Sequence, residues 1–371
     1  MKIGFEAKRI FHNKTGLGNY SRDLVRIMQS FYPENDYFLY NPKNSKNFLF
    51  KASPPVYEKL PATFANRLFP DVWRQWNILK DLRKDEIEIF HGLSGELPLG
   101  LHKTQIKSVV TIHDLIFLRY PQFYSYFDKK IHTKKFSYAA KNADVVVAVS
   151  EQTKKDIIDF FGIDPSRIKV IYQGCHAAFK KTFSQKEKDN LLKKYELPRD
   201  FILNVGTIEA RKNVLIAVKA IKNIDTHLAI VGAETPYTLE VKNYIKTEGL
   251  EKKVSFLKNL NVEELAMLNQ AAQLMIYPSL FEGFGIPIIE ALFSKTPVIT
   301  TNYGCFPEAG GPNSIYVDPN SKSQISEAIS DLLKHPDKRK GIAEAGYNYV
   351  QKFNDDRIAS EIIKVYKELL K

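Results

Sequence analysis

Two glutamates, Glu282 and Glu290, stand eight positions apart in PSLFEGFGIPIIEAL (Pro278 to Leu292), around Gly283, Gly285 and Pro287. Positions eight apart share a helix face, but two glycines and a proline forbid one continuous helix, so different local structures must present the two acids. LMIYPS reads as a buried strand ending near Pro278. The loop Ser279 to Ile286 then leads to Pro287, which suits a first helical position because its φ is already helical. Glu290 falls within about the first turn of that helix, and Glu282 in the loop. Gly283 and Gly285 let backbone N–H groups approach a ligand with no Cβ in the way, and a helix start adds about half a unit of positive charge. That is a place for phosphate. Carboxylates on its two flanks can accept hydrogen bonds from a ribose on one side and a hexose on the other, as in a nucleotide sugar. Spacing alone leaves a plainer reading equally open: a glycine-rich turn before a packed helix, with solvated acids.

Three further motifs carry possible chemistry. In NVGTIEARKN the strand FILNVG opens into a loop with Arg211 and Lys212, two adjacent cations able to neutralise a departing diphosphate, although such pairs are commonly just solvated. SVVTIHDLIF puts His113 and Asp114 at the mouth of an apolar strand. A histidine there can orient a sugar hydroxyl or shuttle a proton, with an unperturbed pKa near ~6.5, or be purely structural. KTGLGNYS offers Gly16 and Gly18 after the first strand. It matches a nicotinamide dinucleotide fingerprint poorly: Ser21 takes the third glycine position, and YFLYNPK ends in Asn41 rather than an acid for ribose. It reads as a phosphate-side or acceptor-side loop, or as an ordinary helix start. The chain contains no Asp-X-Asp and no clustered His/Cys set, so a metal-independent chemistry is expected, with a leaving diphosphate met by cations and backbone dipoles.

These residues must be positioned by strands and helices in alternation. Five β-rich runs (KIGFEA, YFLYN, SVVTIHD, DVVVAVS, RIKVIY) precede the polar stretch Lys180 to Asp200, and five (FILNVGT, HLAIVG, VSFL, LMIYPS, PVITT) follow it. Each is followed by a helix-like segment, the pattern of parallel sheets covered on both faces. With 371 residues, above the usual size of a single core, two doubly wound α/β domains are expected, meeting near residue 180 across a cleft. Ligands of such sheets bind beyond the carboxyl ends of the strands, where Glu6, His113 with Asp114, Ser150, Thr207 to Lys212, and Ser279 to Gly285 fall.

Composition narrows the class further. The formal charge, 54 basic minus 42 acidic residues, is +12, which favours phosphates, anionic lipid or nucleic acid without choosing among them. No base-reading motif is recognisable, so nucleic acid is not expected as a partner. No stretch approaches the ~18 apolar residues of a membrane span, and MKIGFEA reads as a strand rather than a signal segment, so a cytoplasmic location is expected. Cys175 and Cys305 make no disulfide framework. Basic residues mix with aromatics in FANRLFPDVWRQW (Phe64 to Trp76) and YPQFYSYFDKKIHTKKF (Tyr120 to Phe136), as in segments that lie on a membrane interface. The more ordinary reading is amphipathic helices that pack their aromatics inward.

FEGFGIPIIEA resembles the glutamate, seven residues, glutamate signature of retaining family 4 (group 1) glycosyltransferases of the GT-B fold. The flanking segments GLGNYSRDLV, VVTIHDLIFLRYP, VVVAVSEQTKKDI, NVGTIEARKNV, TPVITTNYGCFPE and FNDDRIASEI are similar in order and spacing, so the likeness spans nearly the whole chain. VTIHDLIFLRYP with GTIEARKN resembles the mannosyltransferase-like subgroup that builds bacterial surface polysaccharides. The resemblance implies two Rossmann-like domains facing across a cleft: residues 1–179 on the acceptor side, residues 180–354 binding the nucleotide-sugar donor, and a helix at about 355–371 packing back on the first. It implies that Glu282 faces the donor hexose, Glu290 holds the ribose, and the amides of Gly283, Phe284 and Gly285 cradle hexose and phosphate. Lys212 is implied to bind diphosphate, His113 to lie near the transferred sugar, and Gly16 and Gly18 to flank phosphates and acceptor. One departure is Thr207, where many members carry arginine; Arg211 is expected to supply the second charge. A second is Ala210, where the subgroup often has proline. The expected activity is metal-independent, retaining transfer of a hexose, mannose from GDP-mannose by subgroup similarity, to a glycan or lipid-linked acceptor, with no cofactor. Contact with the inner face of the cell membrane is a further expectation. The competing readings are a nucleotide-sugar epimerase or phosphorylase of similar shape and, from another class, an NAD-dependent oxidoreductase.

Overall fold

The computed structural model describes residues 1–45 and 49–371. The chain divides into two compact units, Met1–Gly174 with Phe353–Lys371, and Cys175–Lys352. Among the described residues the first holds a sheet of seven parallel strands: β1 (Lys2–Glu6), β2 (Asp36–Tyr40), β3 (Val56–Lys59), β4 (Ile89–Gly92), β5 (Lys107–Ile112), β6 (Val145–Ala148) and β7 (Ile168–Val170), in the order β3-β2-β1-β4-β5-β6-β7. The second holds six: β8 (Phe201–Val205), β9 (His227–Val231), β10 (Val254–Leu257), β11 (Leu274–Tyr277), β12 (Val298–Thr301) and β13 (Ile315–Val317), in the order β10-β9-β8-β11-β12-β13, again all parallel. Both are doubly wound Rossmann-like sheets, as expected. The strand order reverses between β1 and β4 in one and between β8 and β11 in the other, so those two points are where crevices open beyond the strand ends.

All ten runs read from sequence form strands. The three further strands lack the signal that found the others. β3 lies at an edge with Tyr57 and Glu58 exposed, and β13 is a three-residue edge strand. β4 is central and fully buried, but its IFHG ends in a histidine and a glycine that imitate a turn. The polar stretch after residue 180 is not a linker. It contains the helix Gln185–Lys194, started by a capping box of Ser184 and Glu187, which buries Leu191 and Leu192 beside the helix Val262–Ala271. Just before it the turn Ala177–Lys180 buries Ala178 and Phe179 against Val262–Ala271 and Ile286–Phe293, which places the division at Gly174 rather than 179.

The helix Asp355–Leu369 returns to the first unit. Ile358, Ile362, Ile363 and Tyr366 recur at helical spacing, and they enter the core that Leu24, Val25 and Met28 of the helix Gly16–Phe31 share with β1 and β2. Fully burying one such isoleucine contributes about 1.5–3 kcal/mol. Arg26 adds an ion pair to Asp355 at 2.8 Å.

Candidate active site

In the second unit the loops after β8 and β11 meet beside the strand-order reversal. Asn213, in the left-handed region at φ 57°, donates from Nδ2 to the carbonyls of Pro278 (3.2 Å) and Pro319 (2.7 Å). Leu280 N donates to Arg211 O at 2.8 Å. The two loops are thus fastened by an uncharged amide side chain and a backbone hydrogen bond before any charged side chain is counted. β8 and β9 also approach closely at their ends: a Cβ on Gly232 would lie 1.8 Å from the Gly206 carbonyl oxygen, so only glycine fits there.

Within this frame Glu282 is buried and gathers four donors. Its Oε1 accepts from Lys212 Nζ (2.5 Å), Ser279 Oγ (2.6 Å) and Tyr277 Oη (3.1 Å), and its Oε2 from Arg211 Nη1 (2.9 Å). Lys212 Nζ also reaches the Tyr277 hydroxyl at 2.9 Å, and Arg211 Nη2 pairs with Glu209 at 2.6 Å. Burial pushes the Glu282 carboxyl up. The charges of Lys212 and Arg211, with the hydrogen bonds from Lys212 and Ser279, outweigh it and hold the pKa at about 2. For Arg211 burial works downward, and Glu282 and Glu209 together keep its pKa above the ordinary value. Lys212, Arg211 and Glu282, three separate expectations from sequence, are therefore one ion cluster. Two cations against Glu282 and Glu209 sum to zero.

Glu290 lies on the helix Ile286–Phe293, at its fifth residue and half-buried, in the second turn rather than the first. Pro287 is the second helical residue, one position further in than expected. Gly285 caps the helix with φ 102°, a conformation that favours glycine. The Phe284 side chain is buried, so its backbone is what the loop has to offer a ligand. Thr207 is exposed at the mouth of the β8 loop. The two glutamates do belong to different local structures, a loop and a helix.

In the first unit Gly16 opens the helix Gly16–Phe31 with nothing within 4 Å of a notional Cβ, whereas Gly18 is pinned, its Cβ position 2.0 Å from the Asn13 carbonyl oxygen. Arg22 holds the same turn by donating to the carbonyls of Ile10 (2.9 Å) and Asn13 (2.8 Å). His113, just past β5, has both ring nitrogens occupied: Nε2 donates to Leu93 O at 2.9 Å, and Nδ1 accepts from Gln173 Nε2 at 3.0 Å. Burial, reinforced by Arg9 and opposed by the Leu93 carbonyl, lowers its pKa to about 4. A neutral imidazole with both nitrogens engaged within the protein has no ring nitrogen left to shuttle a proton or to orient a sugar hydroxyl, so what it can offer a ligand is its ring. Ser150 caps the helix Glu151–Phe161, and Glu6 is buried against Arg74, 3.3 Å away, so these two strand-end residues serve the fold. Asn41 is bonded to His12 (2.9 Å) and Glu58 (2.7 Å) and supplies no ribose-binding acid.

Sequence reasoning missed Tyr277, which clamps Glu282 together with the expected Ser279, and Asn213, which ties the loops. All three sit at carboxyl ends of strands or in the loops that follow, the positions the ligand rule marks, and their polar side chains were the available signal.

Two doubly wound parallel units in one chain define the GT-B class of glycosyltransferase folds. Solved structures with that fold superpose on the whole chain: a sucrose-phosphate synthase from Thermosynechococcus elongatus (TM-score 0.81, 20% identity, 100% of this chain and 99% of that one) and Alr3699/HepE of Anabaena in complex with UDP (TM-score 0.77, 20% identity, 99% and 100%). In sequence, residues 16–179 match the family model Glycosyltransferase Family 4, and residues 185–349 match Glycosyl transferases group 1. O-antigen chain mannosyltransferase RfbU of Salmonella typhimurium is 31% identical over 79% of this chain and 78% of its own length. O-antigen chain mannosyltransferase B of Escherichia coli is 26% identical over the full length of both. The chain belongs to the group 1, family 4 glycosyltransferases.

Proposed function

We propose that this glycosyltransferase moves mannose from GDP-mannose to a hydroxyl of a glycan or lipid-linked acceptor during synthesis of a bacterial surface polysaccharide, with retention of anomeric configuration. The observation that carries the reading is the Lys212–Arg211–Glu282 cluster at the strand-order reversal of the second unit. The similarity to O-antigen chain mannosyltransferases supports the sugar and the pathway class. No side chain here is an evident covalent nucleophile, so the protein's part is to stabilise the leaving group. An arriving diphosphate competes with Glu282 for Lys212. As the ammonium turns toward a phosphate oxygen, Glu282 keeps Arg211, Ser279 and Tyr277 and frees one lone pair for a sugar hydroxyl. Glu290, on the adjoining helix, takes the ribose. Leaving-group charge is met by Lys212, Arg211 and the amides of Gly283, Phe284 and Gly285, which is why we read the transfer as metal-independent.

A lipid-linked acceptor requires approach to a membrane, and the first unit offers a surface for it. No helix among the described residues is long and apolar enough to cross a bilayer. The inward-packing expectation holds for Trp73, fully buried, but not for Phe64 (82% exposed), Trp76 (50%), Tyr126 (70%) or Phe127 (75%). Lying among these are exposed Arg67, Lys130 and Lys134.

A thermal-shift panel of GDP, UDP, ADP and their sugar conjugates tests the donor, because a ligand of the native state raises its stability with the logarithm of concentration over affinity. GDP-mannose is expected to shift the melting temperature most. Lys212→Ala, which leaves Glu282 three donors, is expected to lose about a hundredfold in turnover, or ~3 kcal/mol. Stabilisation by uridine or adenosine compounds alone removes the GDP-mannose assignment, and unchanged turnover in Lys212→Ala removes the leaving-group role.

A further inference from the structure

A buried chain of hydrogen bonds runs through the first unit and ends beside His113. Tyr366, on the C-terminal helix, is fully buried, with its hydroxyl 2.6 Å from His91 Nδ1. His91 lies on β4, equally buried, with Nε2 2.8 Å from Thr111 Oγ1 on β5. Thr111 Oγ1 lies 3.3 Å from the hydroxyl of Tyr20, and the Tyr20 ring meets the His113 ring at 86° with centroids 4.5 Å apart. Tyr20 is on the helix that begins at Gly16, one turn from the glycine pair.

The direction of the protons follows by elimination. Among the described residues, the Tyr366 hydroxyl has His91 Nδ1 as its one hydrogen-bond partner. A buried hydroxyl proton without an acceptor is costly, so Tyr366 donates to Nδ1. His91 then carries its proton on Nε2 and donates it to Thr111. Thr111 in turn donates to the Tyr20 oxygen, because that is the remaining contact of its hydroxyl among the described residues. The Tyr20 proton comes last and has no acceptor among the described residues. Burial raises the Tyr20 pKa to about 12, so the proton stays in place at neutral pH. His91, buried and with its pKa down to about 3, stays neutral as the relay requires.

We propose that Tyr20 binds substrate: its hydroxyl donates a hydrogen bond to a sugar oxygen seated against His113, and Tyr366, His91 and Thr111 are positioning residues that align it. The proposal rests on the glycosyltransferase reading in taking a sugar as the ligand. Tyr20 and His113 are both uncharged at neutral pH, which suits a sugar oxygen better than a phosphate. That oxygen belongs either to the donor hexose or to the acceptor glycan.

Tyr20→Phe removes one oxygen and leaves the ring on His113. Native protein, Tyr20→Phe and Tyr366→Phe are titrated calorimetrically with GDP-mannose, GDP and methyl α-mannoside. The expected result is a loss of about tenfold in affinity for one sugar ligand in Tyr20→Phe, with GDP unchanged, and a smaller loss for the same ligand in Tyr366→Phe. Loss confined to GDP-mannose assigns the donor hexose; loss confined to methyl α-mannoside assigns the acceptor. The ¹⁵N spectrum of His91 is expected to show the Nε2–H tautomer in native protein and, in Tyr366→Phe, to keep that tautomer while the Nδ1 resonance shifts with the loss of its hydrogen bond, a signature that packing alone would leave unmoved. Equal affinities in native and Tyr20→Phe overturn the proposal, as does a loss for GDP as large as that for GDP-mannose. A native protein that binds none of the three overturns the functional reading itself, which is a different result.

Discussion

Glu282 shows how far a single side chain depends on its neighbours. Its folded pKa, about 2, lies below the ordinary 4.5. A carboxyl depressed on folding contributes stability that is fully present above the unfolded value and is lost as pH falls through the folded one, here between about 4.5 and 2. A shift of that size corresponds to a contribution on the order of 3 kcal/mol at neutral pH. Glu282→Gln keeps the shape but leaves Lys212 and Arg211 facing a neutral amide. We expect it to be clearly less stable than native protein in urea at pH 7, with the gap closing as pH drops below about 4.5. A gap that persists unchanged at pH 3 would show that packing, rather than charge, makes the difference. The sequence announced the three members of this cluster but not their pairing. Eight-residue spacing and an Arg-Lys pair are local facts, whereas the pairing is made by Asn213 and by the adjacency of β8 and β11, which are strands seventy residues apart in the chain.

At the scale of elements, most of the frame was legible because β-branched runs separated by helical periods admit few arrangements. β4 was not, since His91 and Gly92 look like a turn until Tyr366 and Thr111 are seen to satisfy the imidazole. The glycine pair was legible as a motif but not as two different jobs. A methyl on Gly18 would strike the Asn13 carbonyl, and a methyl on Gly16 meets open space. Gly18→Ala is therefore expected to cost about 1–3 kcal/mol of stability, as overpacking does, while Gly16→Ala melts within a degree or two of native. Because Gly16→Ala leaves the fold alone, weakened binding of either sugar substrate in that variant would report ligand approach at the helix start, whereas full activity would make the open side of the loop incidental. The same two-way comparison could not have been designed from the sequence, where both glycines read as one feature.

For the molecule as a whole, the +12 charge matters by where it lies. Two aromatic and basic segments of the first unit are joined through Glu96, which pairs with Arg74 at 2.8 Å and with Lys135 at 3.3 Å, so the helices after β3 and β5 are held together near the carboxyl end of β1. Beyond that anchor their large apolar side chains stay outside: Phe64, Leu68, Phe69 and Trp76 on one, Tyr126, Phe127 and Ile131 on the other. Aromatic rings that insert at headgroup level, flanked by cations worth about 1 kcal/mol each near an anionic surface, make a reversible anchor. Cosedimentation with vesicles of phosphatidylcholine containing about 30% phosphatidylglycerol is expected to capture the protein at low salt, with binding falling as ionic strength rises. Replacing Tyr126 and Phe127 by serine, both exposed and therefore harmless to the core, is expected to weaken capture several-fold without lowering the melting temperature. Lys130→Glu with Lys134→Glu is expected to weaken it further and to flatten its salt dependence. If native protein stays in the supernatant at low salt, or if both double variants bind like native, the surface is no membrane anchor. The exposed rings would then be placed to meet the acceptor glycan or another protein.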